Sequence, residues 1–132
     1  MSLIALDWIQ LLTLLGALQG TFLVCVLVVR RRNRTANRVL AALVFTFTIA
    51  LLGDVYYSTG LIYRYPHGFG ISYPLPWLFG PLVYLYTLAA SDRSWRLRPR
   101  TWLHFLPALI VILVGIPIYS MDPAAKVGRA HV

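Results

Sequence analysis

Apolar residues in this chain fall into four long blocks separated by short polar links. Residues 8–29 run without a charge, and about 22 residues as a helix suffice to cross a hydrocarbon core of roughly 30 Å. A second block begins at Val39 and reaches Tyr63, broken only by Asp54. A third covers residues 74–90, and a fourth covers residues 102–119 with His104 and Pro107 inside it. The pattern predicts an all-α integral membrane bundle with spans over 8–29, 39–60, 74–90 and 102–119. The helical domain then occupies residues 1–121, and a short flexible tail follows over 122–132. A three-span arrangement is the alternative, with the third or fourth block re-entrant or lying in the interface.

Glycine and proline punctuate these blocks. Gly60 is placed to end the second helix, because glycine takes the left-handed conformation at a helix terminus without penalty. An outer link over 61–73 follows, with Tyr63, Tyr65 and Tyr73 at the depth where amphipathic rings settle. Pro74 and Pro76 suit the entry to the third helix, whose first turn has no use for the donor proline lacks. Pro81 lies deeper and is expected to free the Trp77 carbonyl and bend that helix. Pro107 is expected to do the same to the Leu103 carbonyl in the fourth.

Composition supports the membrane reading. Of the residues, 59% are hydrophobic and 12% charged, against roughly a quarter charged in an average soluble domain. The first block is not read as a cleaved signal: no Lys or Arg precedes it, and an arginine cluster follows it instead of a small-residue cleavage site.

Charge then orients the spans. Arg30, Arg31, Arg32, Arg34 and Arg38 fall at the first link, and Arg93, Arg96, Arg98 and Arg100 at the third, whereas the link between them holds only Arg64. Short arginine-rich loops stay cytoplasmic, so the N-terminus is expected outside. Lys126 and Arg129 in the tail weakly oppose this. The net charge of +8 is also a nucleic-acid signal, but these arginines sit in hinges against apolar spans, where they meet lipid headgroups. No direct nucleic-acid binding is expected; the partners are the lipid bilayer and, by self-association or otherwise, other membrane helices.

The sparse polar residues are the candidate chemistry. Asp54 is the one acid inside a span and should face protein or be protonated, with Tyr57 and Ser58 placed one turn on to donate hydrogen bonds. A signal-receiving role, an interhelix hydrogen bond and a place near the headgroups are the competing readings. His67, Trp77 and Pro81 join Asp54, Tyr57 and Ser58 as signal candidates, being in the outer link and the bent third helix. Gln19 and His104 read as packing polars. Thr13, Gly16, Ala17 and Gly20 form a small-residue stripe suited to close helix packing. Cys25 is the only cysteine, and His67, His104 and His131 are scattered. No metal site, cofactor cradle or catalytic constellation is recognised, and the chain is not expected to be an enzyme.

Several segments carry a resemblance: "QG" at Gln19 and Gly20, "NRTAN" from Asn33 to Asn37, "YPH" from Tyr65 to His67, "PLPWLFGPLVYLY" from Pro74 to Tyr86, and "HFLPA" from His104 to Ala108. Together they resemble the N-terminal membrane region of bacterial AraC-family transcriptional regulators that carry a multi-span sensor domain. The resemblance implies about seven spans in the bacterial inner membrane, an outward N-terminus and a cytoplasmic helix-turn-helix module. This chain departs from it by reaching Val132 after four apolar blocks with no helix-turn-helix pattern. The expectation is therefore a partial sensor domain that passes a ligand or envelope signal through helix shifts without binding DNA itself. The alternative is a small scaffold or accessory protein that packs with a partner membrane protein.

Overall fold

The computed structural model describes residues 7–119, apart from Phe69, Ile71 and Arg93. The expected tail, the basic residue Arg93, and the tail residues Lys126, Arg129 and His131 lie outside the described residues. Within them the chain is an all-helical bundle. Helix α1 is Trp8–Val29, α2 is Arg34–Ser58, α3 is the short turn Leu61–Arg64, α4 is Pro76–Ser91 and α5 is Leu106–Tyr119. Two 3₁₀ segments, Pro66–Gly68 and Pro99–Phe105, precede α4 and α5 respectively.

Each boundary has a local cause. Asp7 accepts the Trp8 N–H at 2.8 Å, and its own N–H donates to Gln10 Oε1 at 2.9 Å, closing a reciprocal cap at the start of α1. Between α1 and α2 the chain reverses at Asn33, which adopts a left-handed φ of 51°, a conformation asparagine tolerates better than most side chains. Asn37 Nδ2 braces that hinge by donating to the Arg32 carbonyl at 2.7 Å. Gly60, with φ 71°, takes the left-handed conformation just beyond α2. Pro76 opens α4 as its first residue, where no donor is needed.

Helix α2 is the centre of the bundle, packing against α1 on one side and α4 on the other. On the α1 side, Ala17 and Gly20 are buried, and Gly16 brings the backbone close to Leu51. A methyl group at Gly20 would fall on the Thr48 hydroxyl, so this crossing depends on the absence of a side chain there. On the α4 side, Val39, Leu82 and Leu85 form the core, with Leu43, Leu78, Tyr86, Trp95 and Phe105 packed around them. Phe47 and Phe79 add a tilted ring pair at 5.9 Å.

Threonines within the spans use their hydroxyls internally. Thr13, Thr21, Thr46 and Thr48 each donate to the carbonyl four residues back, at 2.8–2.9 Å, so these hydroxyls enter an apolar environment already satisfied. The large apolar side chains do the opposite of a soluble core. Leu12, Leu18, Phe22 and Val29 of α1 are each two-thirds exposed or more, as expected where lipid is the solvent.

The structure refines two sequence expectations. Among the described residues, the stretches long and apolar enough to cross a bilayer are α1, α2 and Pro99–Pro117, three instead of four. The third predicted span is the short one, since α4 has 16 residues and so rises only about 24 Å. The expected proline effect at Pro107 is corrected as well. The predicted fourth helix begins as a 3₁₀ segment, and Pro107 sits at the second position of α5. The Leu103 carbonyl is not freed, because it accepts the Leu106 N–H through the tighter 3₁₀ pattern. Pro81 does lie inside α4. The outer link also holds more order than a plain loop: α3, the 3₁₀ turn, and the Tyr56 hydroxyl donating to the Tyr65 carbonyl.

Candidate functional site

At the end of the bundle where α1 begins and α2 finishes, the two helices part. The opening is lined by Asp7, Gln10 and Thr13 from α1 and its cap, and by Asp54, Tyr57 and Ser58 from α2. Its volume is about 590 Å³. Three of the sequence candidates, Asp54, Tyr57 and Ser58, meet here because α2 carries them on successive turns of one face. Asp54 is exposed and lines the cleft.

The cleft is laced by neutral hydrogen bonds. Gln10 uses both ends of its amide: the oxygen accepts from Asp7 N–H, and the nitrogen donates to Ser58 Oγ at 3.3 Å. Ser58 in turn donates to the Val55 carbonyl at 3.3 Å. Tyr57 points its hydroxyl the other way, accepting the Gly70 N–H at 3.0 Å and so anchoring the outer link to α2. Asp7 and Gln10 were missed as site residues in the sequence. Their signal was the Asp-x-x-Gln cap that opens α1 and brings both side chains to the same helix end.

The other candidates lie elsewhere. Trp77 and Pro81 line an open groove with Gly80, Tyr84, His104 and Pro107, about 490 Å³ in volume. There His104 meets Tyr84 edge-on, their ring centroids 4.8 Å apart. His67 is exposed on the 3₁₀ turn of the outer link. Gln19 is exposed on α1, and Cys25 is exposed too. The structure thus divides the signal candidates between an acidic cleft and an aromatic groove, with His67 in neither.

The opposite end of the bundle is basic. Arg38 near the start of α2 and Arg96 from the link after α4 line one cavity of about 490 Å³ between α2, α4 and the 3₁₀ segment Pro99–Phe105. Arg30, Arg31, Arg34 and Arg38 surround a smaller hollow of about 160 Å³ next to it. The other described arginines of the two basic links, Arg32, Arg98 and Arg100, are exposed. In that link Asp92 turns back on itself, accepting from the Ser94 N–H at 2.8 Å and the Ser94 hydroxyl at 2.6 Å. These hydrogen bonds hold its carboxyl below the usual range. Among the described residues no group of histidine, cysteine, aspartate and glutamate is arranged to hold a metal ion.

The arrangement is a multi-helix membrane domain with an acidic cleft at one end and a paired basic end at the other. Compared with protein-family models, with curated proteins and with solved structures, the chain matches none.

Proposed function

We infer that this chain is a membrane-embedded sensing domain, with the Asp54 cleft as its receiving site and the arginine-rich hinges as its output. The observation that carries the reading is the position of the cleft between α1 and α2. A ligand that competes for Ser58 or Gln10 acts directly on the contact that joins the two helix ends. Below that contact the helices approach closely at Gly16, Ala17 and Gly20, so a movement of one helix end is carried along the other. Such a shift reaches the Asn33 hinge at the far end of both helices.

The lining favours a small polar ligand that donates hydrogen bonds, because two carboxylates and the Ser58 oxygen are acceptors. The arginine links face the cytoplasm in this reading, with the N-terminus and the cleft outside. The motifs resembling the membrane region of AraC-family regulators support it from the sequence side: they give the basic end a cytoplasmic transcriptional output to act on, supplied by a helix-turn-helix module that these residues do not contain.

The test is a thermal-shift screen of small amines and polyols on the purified chain, with a thiol-reactive fluorophore on the hinge as a second readout. A ligand that stabilises the parent and moves the fluorophore signal, and does neither in Asp54→Asn, supports the site. A ligand whose effects survive Asp54→Asn and Ser58→Ala overturns it.

A second reading, a scaffold that packs with a partner membrane protein, rests on α5. Leu109, Ile110, Leu113, Val114 and Ile116 are all about half-exposed or more, and α5 meets the bundle mainly through α4 and the 3₁₀ segment before it. The nucleotide sequence downstream of Val132 separates the two. Coding for further spans and a helix-turn-helix, in the same frame or an adjacent one, favours the sensor, and its absence favours the scaffold.

A further inference from the structure

We propose that the cavity between α2, α4 and the 3₁₀ segment Pro99–Phe105 is a binding site for one anionic phospholipid, its phosphate held by Arg38 and Arg96. This proposal does not depend on the sensing role. Arg38, near the start of α2, and Arg96, in the link after α4, line the same cavity. A guanidinium presents a planar fork that fits phosphate oxygens, so two of them from different directions make a phosphate clamp.

The nearest acid in sequence to Arg96, Asp92, uses one carboxylate oxygen to accept from the Ser94 N–H and hydroxyl. Neutral donors stand beside the arginines. Thr101 Oγ1 accepts the Arg98 N–H at 3.3 Å, which leaves its own proton to donate, and Thr35 lies on the first turn of α2. That turn begins at Asn33, which makes no side-chain cap, so the positive end of a 25-residue helix adds to the field at the mouth. The adjoining hollow of four arginines, sharing Arg38, extends the positive potential along the headgroup plane.

The rest of the cavity distinguishes a lipid from a free anion. Its floor is Val39, Leu82, Leu85 and Phe105, the side chains that also make the α2–α4 core. A soluble phosphate leaves that apolar floor uncovered, whereas an acyl chain covers it and keeps its phosphate at the arginines. Trp102 at the rim is two-thirds exposed, the placement an interfacial tryptophan adopts at headgroup depth.

The purified chain, in micelles of a neutral detergent, is titrated with phosphatidylglycerol or phosphatidylcholine, and bound lipid is counted by native mass spectrometry. One phosphatidylglycerol is expected to bind in preference to phosphatidylcholine. Arg38→Gln with Arg96→Gln should weaken that binding about 10-fold or more, whereas Arg32→Gln with Arg100→Gln, the same change in net charge away from both hollows, should cost less than about 3-fold. Ala42→Phe fills the cavity from the exposed wall position Ala42, leaves both arginines in place and should also abolish the preference.

Circular dichroism confirms that each variant is helical. Should Ala42→Phe fail to fold, the two arginine pairs, all exposed side chains, still decide the outcome. Equal loss in both arginine pairs means diffuse surface charge and overturns the site. Displacement of the lipid by millimolar glycerol phosphate overturns the assignment to a lipid, as does an equal affinity for the two lipids.

Discussion

The side-chain nitrogen of Gln10 lies 3.3 Å from Ser58 Oγ, joining the first turn of α1 to the last residue of α2 across 48 positions of sequence. The same Gln10 amide closes the cap of α1 through its oxygen, so one side chain both starts a helix and fastens it to its neighbour. Polar contacts between membrane helices average about 0.6 kcal/mol. Ser58→Ala is therefore expected to lower the unfolding free energy in mixed micelles by about that amount, and Gln10→Leu by more, because it loses the cap as well. A double variant that loses the sum of the two single losses would show that the residues do not interact.

Two glycines inside helices should respond differently to the same methyl group. Gly20→Ala places Cβ on the Thr48 hydroxyl, and overpacking of this kind costs about 1–3 kcal/mol. Thr48→Ala removes that hydroxyl and should recover most of the loss in the double variant. Gly80 has nothing beyond its chain neighbours and own helix within 4 Å of where a Cβ would stand, but it precedes Pro81, whose ring crowds a Cβ on a helical residue before it, so Gly80→Ala should bring no stabilisation of α4 and should cost less than Gly20→Ala. Unfolding curves for the four variants test both statements, and a neutral Gly20→Ala would remove the close crossing from the account of α1 and α2.

Topology is tested by labelling single cysteines in intact cells with an impermeant thiol reagent, in a Cys25→Ser background. Arg32 is a better reporter of the first link than its neighbour Asn33, whose φ of 51° a cysteine adopts only with strain. His67, exposed on the outer turn, serves better than Gly68, whose Cβ would stand 3.1 Å from the Tyr56 ring. His67→Cys should label, and Arg32→Cys and Ser94→Cys should be protected until the cells are opened. The reverse pattern would invert the orientation and place the Asp54 cleft in the cytoplasm.

The Asp92 turn carries a pH dependence whose sign follows from its hydrogen bonds. Ser94 stabilises the ionised carboxylate, so the folded pKa is depressed. The turn is then held at neutral pH, and its contribution is lost as pH falls below the ordinary aspartate value of about 3.9 and through the lowered one. Ser94→Ala removes the hydroxyl donor and should move the Asp92 titration back up toward its ordinary value, as read by the carboxyl carbon shift in NMR. An unchanged titration would mean that the Ser94 hydroxyl does not hold the carboxylate.

What the sequence by itself determined is whatever one segment can decide alone. An uncharged run the length of residues 8–29 must satisfy its backbone internally, and in lipid that means a helix. Gly60 and Pro76 mark boundaries because their backbone chemistry is local, and the arginine hinges stand out because charge is counted along the chain. Pro107 shows the limit of local reading: whether a proline breaks a rung depends on where the helix starts, and here a 3₁₀ segment ahead of it changes the hydrogen-bond partner of Leu103.

Only the tertiary structure decided which distant residues share a space. Asp7 and Gln10 are 47 and 44 positions from Asp54, and nothing in periodicity brings them together until α2 folds back along α1. Arg38 and Arg96 share a cavity because α2 and α4 pack through Val39, Leu82 and Leu85, a side-by-side choice that interhelix shape makes. In lipid, apolar faces have no preference between a tail and a neighbouring helix, so helix pairing rests on close fit and a few polar contacts. Those are the terms a linear pattern of hydrophobic and polar positions does not contain.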